Sequence, residues 1–360
     1  MTCRSARPRC ARRTRAGLVA LAAAISVLPS GIPDARAAIV APPPRAWASM
    51  AYDASSSASL LFGGIRDGAA RNDTWAWNGA GWQKRKPASR PPARHDAMMA
   101  SDPDTKGVVL FGGQGGSADP SGNLNRADTW SWDGSVGTWS ERSPAASPSA
   151  RRAAVMAADK ANGNVVLFGG FDRNVLSVCT PSLGDTWVWE GDAGAWTHAS
   201  PATSPPPRYD AAMAYDGATG TVVLFGGVVL GERVSTCGGE SNDTWIWDGA
   251  ARTWTEVTPP VSPSARSEAI MTYDKARKKV VLYGGFSPGA NHYPTDTWLW
   301  DGVTRTWSAV ETATSPGRIT QAAMDYHGPS QKAVMFGGKL FGGELSDATW
   351  TWNGLKWRKW

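Results

Sequence analysis

The sequence predicts an all-β ring of six four-stranded antiparallel sheets, a six-bladed propeller, and three observations lead there. A pattern opening on Arg recurs at Arg45, Arg94, Arg151, Arg208, Arg266 and Arg318, with separations of 49, 57, 57, 58 and 52 residues. Each copy carries a Gly pair: Gly63-Gly64, Gly112-Gly113, Gly169-Gly170, Gly226-Gly227, Gly284-Gly285 and Gly337-Gly338. Each closes with a Trp triplet beginning at Trp75, Trp130, Trp187, Trp245, Trp298 or Trp350. These triplets take 18 of the 20 Trp, so the indoles are scaffold rather than separate sites. A period near fifty residues marks a supersecondary unit repeated in space. Short apolar runs broken by Gly, Pro and Asp leave no sustained helical periodicity.

Each copy is read as four strands. The first runs from the Arg to Tyr-Asp, as in Arg208 to Asp216. The second is the apolar run before the Gly pair, such as Val222 to Phe225, and its lack of polar alternation suits a strand covered on both faces. The third holds Trp-x-Trp, whose two indoles share one sheet face because strand side chains alternate. The fourth carries Trp82, Trp139, Trp196, Trp254, Trp307 or Trp357. Between the last two strands, Asn78-Gly79, Asp133-Gly134, Asp248-Gly249, Asp301-Gly302 and Asn353-Gly354 predict two-residue hairpins with positive φ at both positions. Glu190-Gly191 departs from that pattern. The Gly pairs predict close backbone approach or an unusual φ. No helix follows them to hold a phosphate. One such sheet cannot bury both faces, whereas six around an axis can. A buried Trp removes roughly 150–250 Å² from water, about 4–6 kcal/mol gross at ~25 cal/mol/Å², an upper estimate because unfolded chains are partly compact.

Residues 1–37 read as a secretory leader. Six Arg between Arg4 and Arg15 precede an apolar run from Ala16 to Leu28, and Ala35-Arg36-Ala37 offers small residues at a cleavage site. The run is too short to span a bilayer. This leader holds seven Arg and one Asp, a net of +6, which equals the charge of the whole chain and leaves 38–360 neutral. Nucleic-acid binding, which needs a basic footprint on the folded domain, is therefore not expected. The expected organisation is the leader 1–37, a Pro-rich lead-in 38–44, and repeats over about 45–93, 94–150, 151–207, 208–265, 266–317 and 318–360. Cys179 and Cys237 lie in matching loops of neighbouring repeats, and an oxidising destination favours a disulfide between them.

The Arg, the Gly pair and the spaced aromatic and Trp together resemble the kelch repeat over about 45–360. Trp77, Trp132, Trp189, Trp247, Trp300 and Trp352 stand where that family usually has Tyr. The sixth repeat is loosest: Ala348 replaces the motif Asp, and one extra residue falls between Arg318 and Met324. The resemblance implies that the first strand is innermost, which would ring the channel mouth with the opening Arg. Such a ring suits a carboxylate or phosphate; the alternative is that each Arg bonds its own or a neighbouring blade.

Up-and-down strands put the loops after Gly-Gly and the linkers before each Arg on one face, the expected binding face because its loops diverge. Two residues after the Arg stand Trp47, Asp96, Ala153, Asp210, Glu268 and Thr320. Candidate ligand-binding residues are Arg94, His95, Asp96, Arg208, Asp210, Arg266 and Glu268, with Arg173, Arg233, His292 and Tyr293 from the loops. Arg66, Asp67, Arg71, Lys339, Phe341 and Glu344 vary in the same way. The expected function is an exported, non-catalytic module binding a protein or glycan at the cell surface, without cofactor or metal. His95, His198, His292 and His327 are scattered, with no paired metal-ligand spacing. By resemblance, a sugar-acid mutarotase using Arg266 with Glu268, or Arg94 with His95 and Asp96, is the alternative. A copper enzyme like galactose oxidase fits less well, since no His pair stands out.

Overall fold

Six four-stranded antiparallel sheets follow one another along the chain in the computed structural model, which describes residues 41–115, 124–172, 182–229, 238–288 and 292–360. In the fourth sheet the order is Ala212–Asp216, Thr221–Phe225, Thr244–Asp248 and Thr253–Val257. Its second strand is buried from Val222 to Phe225, with Val222, Val223 and Leu224 at 0% exposure, which is what an unbroken apolar run between two covered faces requires. Trp247 faces Trp254 across the ladder, their rings tilted and 5.3 Å apart.

The first strands are Ser49–Asp53, Met98–Ser101, Val155–Asp159, Ala212–Asp216, Ile270–Asp274 and Ala323–His327. Each packs beside the next, and the sixth returns to the first, so the ring is closed. The outer blades are built from contiguous segments, 49–85 and 323–359, without exchange of a strand between the ends.

Hydrogen bonds between blades explain most of the repeated motif. The last Trp of every triplet donates its indole N–H to a buried Thr of the preceding blade. These bonds run Trp139 to Thr74, Trp196 to Thr129, Trp254 to Thr186, Trp307 to Thr244, Trp357 to Thr297 and, across the closing seam, Trp82 to Thr349, all at 2.8–3.0 Å. The second Gly of each pair donates to the next blade at the carbonyl of Arg94, Arg151, Arg208, Arg266, Ile319 or Arg45. The first Gly has positive φ, and at Gly63 a Cβ would lie 2.5 Å from the Arg94 carbonyl oxygen. The doublet therefore serves both purposes expected of it, conformation and close approach.

Two local expectations are corrected. The first strand does not run unbroken from Arg to Tyr-Asp. Trp47, Asp96, Ala153, Asp210, Glu268 and Gln321 adopt left-handed φ of 52–56°, and Arg208–Tyr209 pairs separately with Val228–Val229. The Asp-Gly turns are also longer than two residues: Asp133 pairs with Thr138 and Asp248 with Thr253. Asp248 Oδ1 accepts from the N–H of Ala250 and Ala251, both at 3.0 Å. Gly134, Gly249 and Gly302 are small because the carboxylates of Asp53, Asp159 and Asp216 from another blade press against them.

The opening Arg side chains are structural. Arg45, Arg94, Arg151, Arg208 and Arg266 are 0–1% exposed. Each forms a two-pronged pair with the Asp preceding the Trp triplet; Arg151 reaches Asp185 at 2.6 and 2.8 Å. Arg151 also donates to the carbonyls of Gly169 and Ser149, both at 3.0 Å. Burial alone pushes Asp73, Asp128, Asp185, Asp243 and Asp296 upward, but the hydrogen bonds and charge of their Arg outweigh it and hold them below the ordinary Asp value. The sixth blade replaces the pair. Its extra residue moves Ile319, 2% exposed, into the Arg position, where its carbonyl meets the Gly pair of the fifth blade, and Ala348 replaces the Asp.

Removing one partner of a buried pair strands the other charge, so Asp185→Ala should cost about 3–5 kcal/mol. Arg151→Ile combined with Asp185→Ala copies the sixth blade and should be the more stable of the two variants by urea unfolding. A double variant no more stable than the single one would show that the pair is not acting as a unit.

Candidate functional site

Of the candidate residues, Asp96, Asp210 and Glu268 come together at one end of the axis, with His95 against Asp96, and the opening Arg do not join them. Arg94, Arg208 and Arg266 were candidates for a ring at the channel mouth. All three are buried and spend their N–H groups on Asp128, Asp243 and Asp296 and on backbone carbonyls, so none reaches the channel. Two positions on from each of these Arg stands a residue with left-handed φ.

That left-handed residue lines the axis instead. Backbone N–H groups of Trp47, Asp96, Ala153, Asp210 and Glu268 donate to the carbonyls of Gln321, Trp47, Asp96, Ala153 and Asp210 in turn, at 2.9–3.3 Å. This collar offsets the cost of six left-handed non-Gly residues, each about 1–2 kcal/mol. The sixth member is Gln321 rather than Thr320, because the extra residue after Arg318 shifts the register.

A cavity of about 140 Å³ lies at the collar, lined by Trp47, Asp96, Asp210, Glu268 and Gln321. Asp96 Oδ2 is 3.1 Å from His95 Nδ1 and 3.6 Å from Arg152 Nη1. Glu268 Oε1 accepts from Gln321 Nε2 at 2.8 Å. Burial first, then the charges of Glu268 and Asp96, push the Asp210 carboxyl well above its ordinary value, against the opposing pull of Arg152. Burial raises Glu268 as well, opposed by hydrogen bonds from Gln321 and Thr320. Arg152, which also stacks 4.5 Å over Phe171, was not foreseen; its one signal was the Arg151-Arg152 doublet.

Farther out on the same loop face, His292 and Tyr293 belong to an aromatic run joining the fifth and sixth blades. His292 stacks on Phe286 at 6.1 Å, Tyr293 meets Phe286 at 5.6 Å and Phe341 at 5.3 Å. The Arg318 guanidinium lies 5.1 Å over Phe341. Arg318 is exposed because Ile319 occupies its place in the blade. Phe341 is 59% exposed. Arg173, Arg233, Cys179 and Cys237 lie outside the described residues, as does the proposed disulfide.

The larger cavity opens at the opposite end, among the Tyr-Asp turns. It measures about 880 Å³. Six Met line its wall, Met50, Met99, Met156, Met213, Met271 and Met324, one from each blade. Nearer the mouth stand Tyr52, Tyr215, Tyr273 and Tyr326, with Lys160, Lys275 and Lys278 on the turns. Burial raises the phenol of Tyr273 to about 12, so it stays neutral. Asp325 holds a position filled by Ala or Thr in the other blades and accepts from Ser59 at 2.6 Å across the closing seam. Burial raises its carboxyl. The signal for this cavity was present: a Met five residues after each Arg, or six in the last repeat. Its direction was not legible, because a strand pattern does not say which residues border the axis. Among the described residues, no group of three His, Cys, Asp or Glu is placed to hold a metal.

Two overlapping stretches, residues 33–227 and 115–338, match the sequence model described as the KLHDC2/KLHL20/DRC7 Kelch-repeats domain. Together they take in most of the chain, including all of the first five repeats.

The crowded carboxyls give a pH prediction. Groups raised above their unfolded values favour the fold when protonated, and that contribution is lost as pH rises through the folded value. Asp210→Asn should therefore gain thermal stability relative to the parent chain at pH 7 but not at pH 4, measured by circular dichroism melts. An equal shift at both pH values would remove charge crowding as the cause.

Proposed function

Since the chain belongs to the kelch-repeat family, whose repeats generally mediate protein interactions, we propose that it is an exported, non-catalytic module that binds a protein through its loop face. The observation that carries this reading is the aromatic run ending at Arg318 and Phe341. Aromatic and Arg side chains dominate binding energy where a rigid surface presents them together. Here they sit on loops anchored by a closed ring, so little ordering is needed on binding. The Arg-rich, apolar leader sequence supports export. A surface glycan is a second ligand class, since exposed aromatic rings also stack on sugars.

The mutarotase-like alternative is favoured by one observation, the raised carboxyls of Asp210 and Glu268, since a general acid needs such a value. It loses the guanidinium clamp it required, because Arg94 and Arg266 are buried with their own Asp. Anomeric exchange of sugar acids abolished by Glu268→Gln, in a variant that still folds, would establish chemistry at the collar.

Phe341→Ala and Arg318→Glu are exposed changes that should shift stability by no more than about 0.5 kcal/mol. Each should weaken capture of an extracytoplasmic protein partner about tenfold, equivalent to ~1.4 kcal/mol. Crosslinking and mass spectrometry with the parent and variant chains, beside a glycan array, checks both ligand classes. Identical capture profiles for parent and variants would move binding away from this patch.

A further inference from the structure

The turn end of the axis carries a second site, independent of the loop face. We propose that the Met-walled channel binds a small aromatic carboxylate, its ring among the tyrosines and its carboxylate toward Lys160, Lys275 and Lys278. The volume of about 880 Å³ falls within the range of about 300–1,000 Å³ typical of small-molecule sites. The wall is mostly Met, Ala and Tyr, so an apolar body gains from entering. Thioethers adapt to irregular shapes and contact aromatic rings favourably.

The chemistry of the mouth narrows the ligand class. Tyr215, Tyr273, Tyr326 and Tyr52 come from four consecutive blades, whereas the next two blades place Ser101 and Ala158 at that level. The result is an aromatic arc facing a gap. Tyr215 and Tyr273 already meet edge to face at 6.4 Å, the arrangement a planar ring would extend. Lys160, Lys275 and Lys278 are exposed, and none is joined to an acid in the ion pairs found among the described residues. Nearby Asp274 is instead held by Arg277 at 3.0 Å, and Asp301 by Lys279. Lysines at the mouth of low-dielectric walls draw in a negative charge.

Other ligands fit less well. A cation would pass the lysines to reach only Asp325, whose Oδ2 is engaged by Ser59. A sugar needs many polar partners along the wall, where Ser101 Oγ already donates to the Tyr52 carbonyl at 2.7 Å. The channel and the loop-face cavity share no lining residue.

The test is calorimetric titration of the full chain with 2-naphthoate and, as its opposite in charge, 2-naphthylmethylammonium. The anion should bind at least tenfold more tightly, and the difference should shrink as salt rises. Lys275→Glu with Lys278→Glu should weaken 2-naphthoate about tenfold while leaving the melting curve and the loop-face capture unchanged. Tyr273→Ala should weaken both probes. Equal affinity for the two probes, no binding of the anion, or anion binding untouched by the lysine changes would each overturn the proposal. Loss of anion binding in Phe341→Ala would place the ligand at the opposite end and overturn it as well.

Discussion

The last indole of each blade is buried between two sheets and satisfies its N–H across the seam, and the ring is organised around that bond. At every seam the last Trp of a blade donates to a Thr of the blade before it. The Thr belongs to the third strand and precedes the Trp-x-Trp pair, so one short motif supplies both the donor's packing surface and its neighbour's acceptor. A buried donor left without a partner costs about 1–3 kcal/mol. Six such bonds therefore favour one blade order and spacing over any looser stack. Phe and Trp rings complete five seams, with Phe225 meeting Trp307 at 5.2 Å and Phe336 meeting Trp82 at the same distance, and Tyr283 meets Trp357 at 5.0 Å at the remaining one.

The sixth blade shows which parts of the repeat are exchangeable. It lacks the Arg–Asp pair and fills the place with Ile319 and Ala348, consistent with the near balance between desolvation and attraction in buried ion pairs. It keeps the Thr349 acceptor and the Gly337-Gly338 doublet, which serve the neighbouring blade. The closing seam also has polar bonds of its own: Asp325 to Ser59, and His327 Nε2 to the Ser57 carbonyl at 3.2 Å. The lost pair has a consequence on the surface, since Arg318 is set free to cover Phe341.

The axis has two unlike ends, and both follow from the left-handed residue near the start of each blade. Where that residue turns the chain, backbone groups of neighbouring blades link into a collar and side chains crowd, raising Asp210 and Glu268. Beyond it the first strands run straight, and a side chain as slender as Met at each interface leaves an open channel. A rigid ring can thus present loops at one end and a cavity at the other without either constraining the other.

The periodicity by itself determined the number of sheets, their four strands and the scaffold role of Trp, because those features repeat with every unit. It also singled out Asp96, Asp210 and Glu268 as a set, which the kelch resemblance put near the axis, and His292 and Tyr293 as loop features. What only the tertiary structure decided were properties of the space between units. The Arg positions left a binding ring and a bond within the blades both open; the structure buries five of them on an Asp that lies 28–35 residues further along the chain. The Met and Tyr positions looked like ordinary strand residues, yet they border the channel, because facing the axis depends on how six sheets tilt together and not on alternation along one strand.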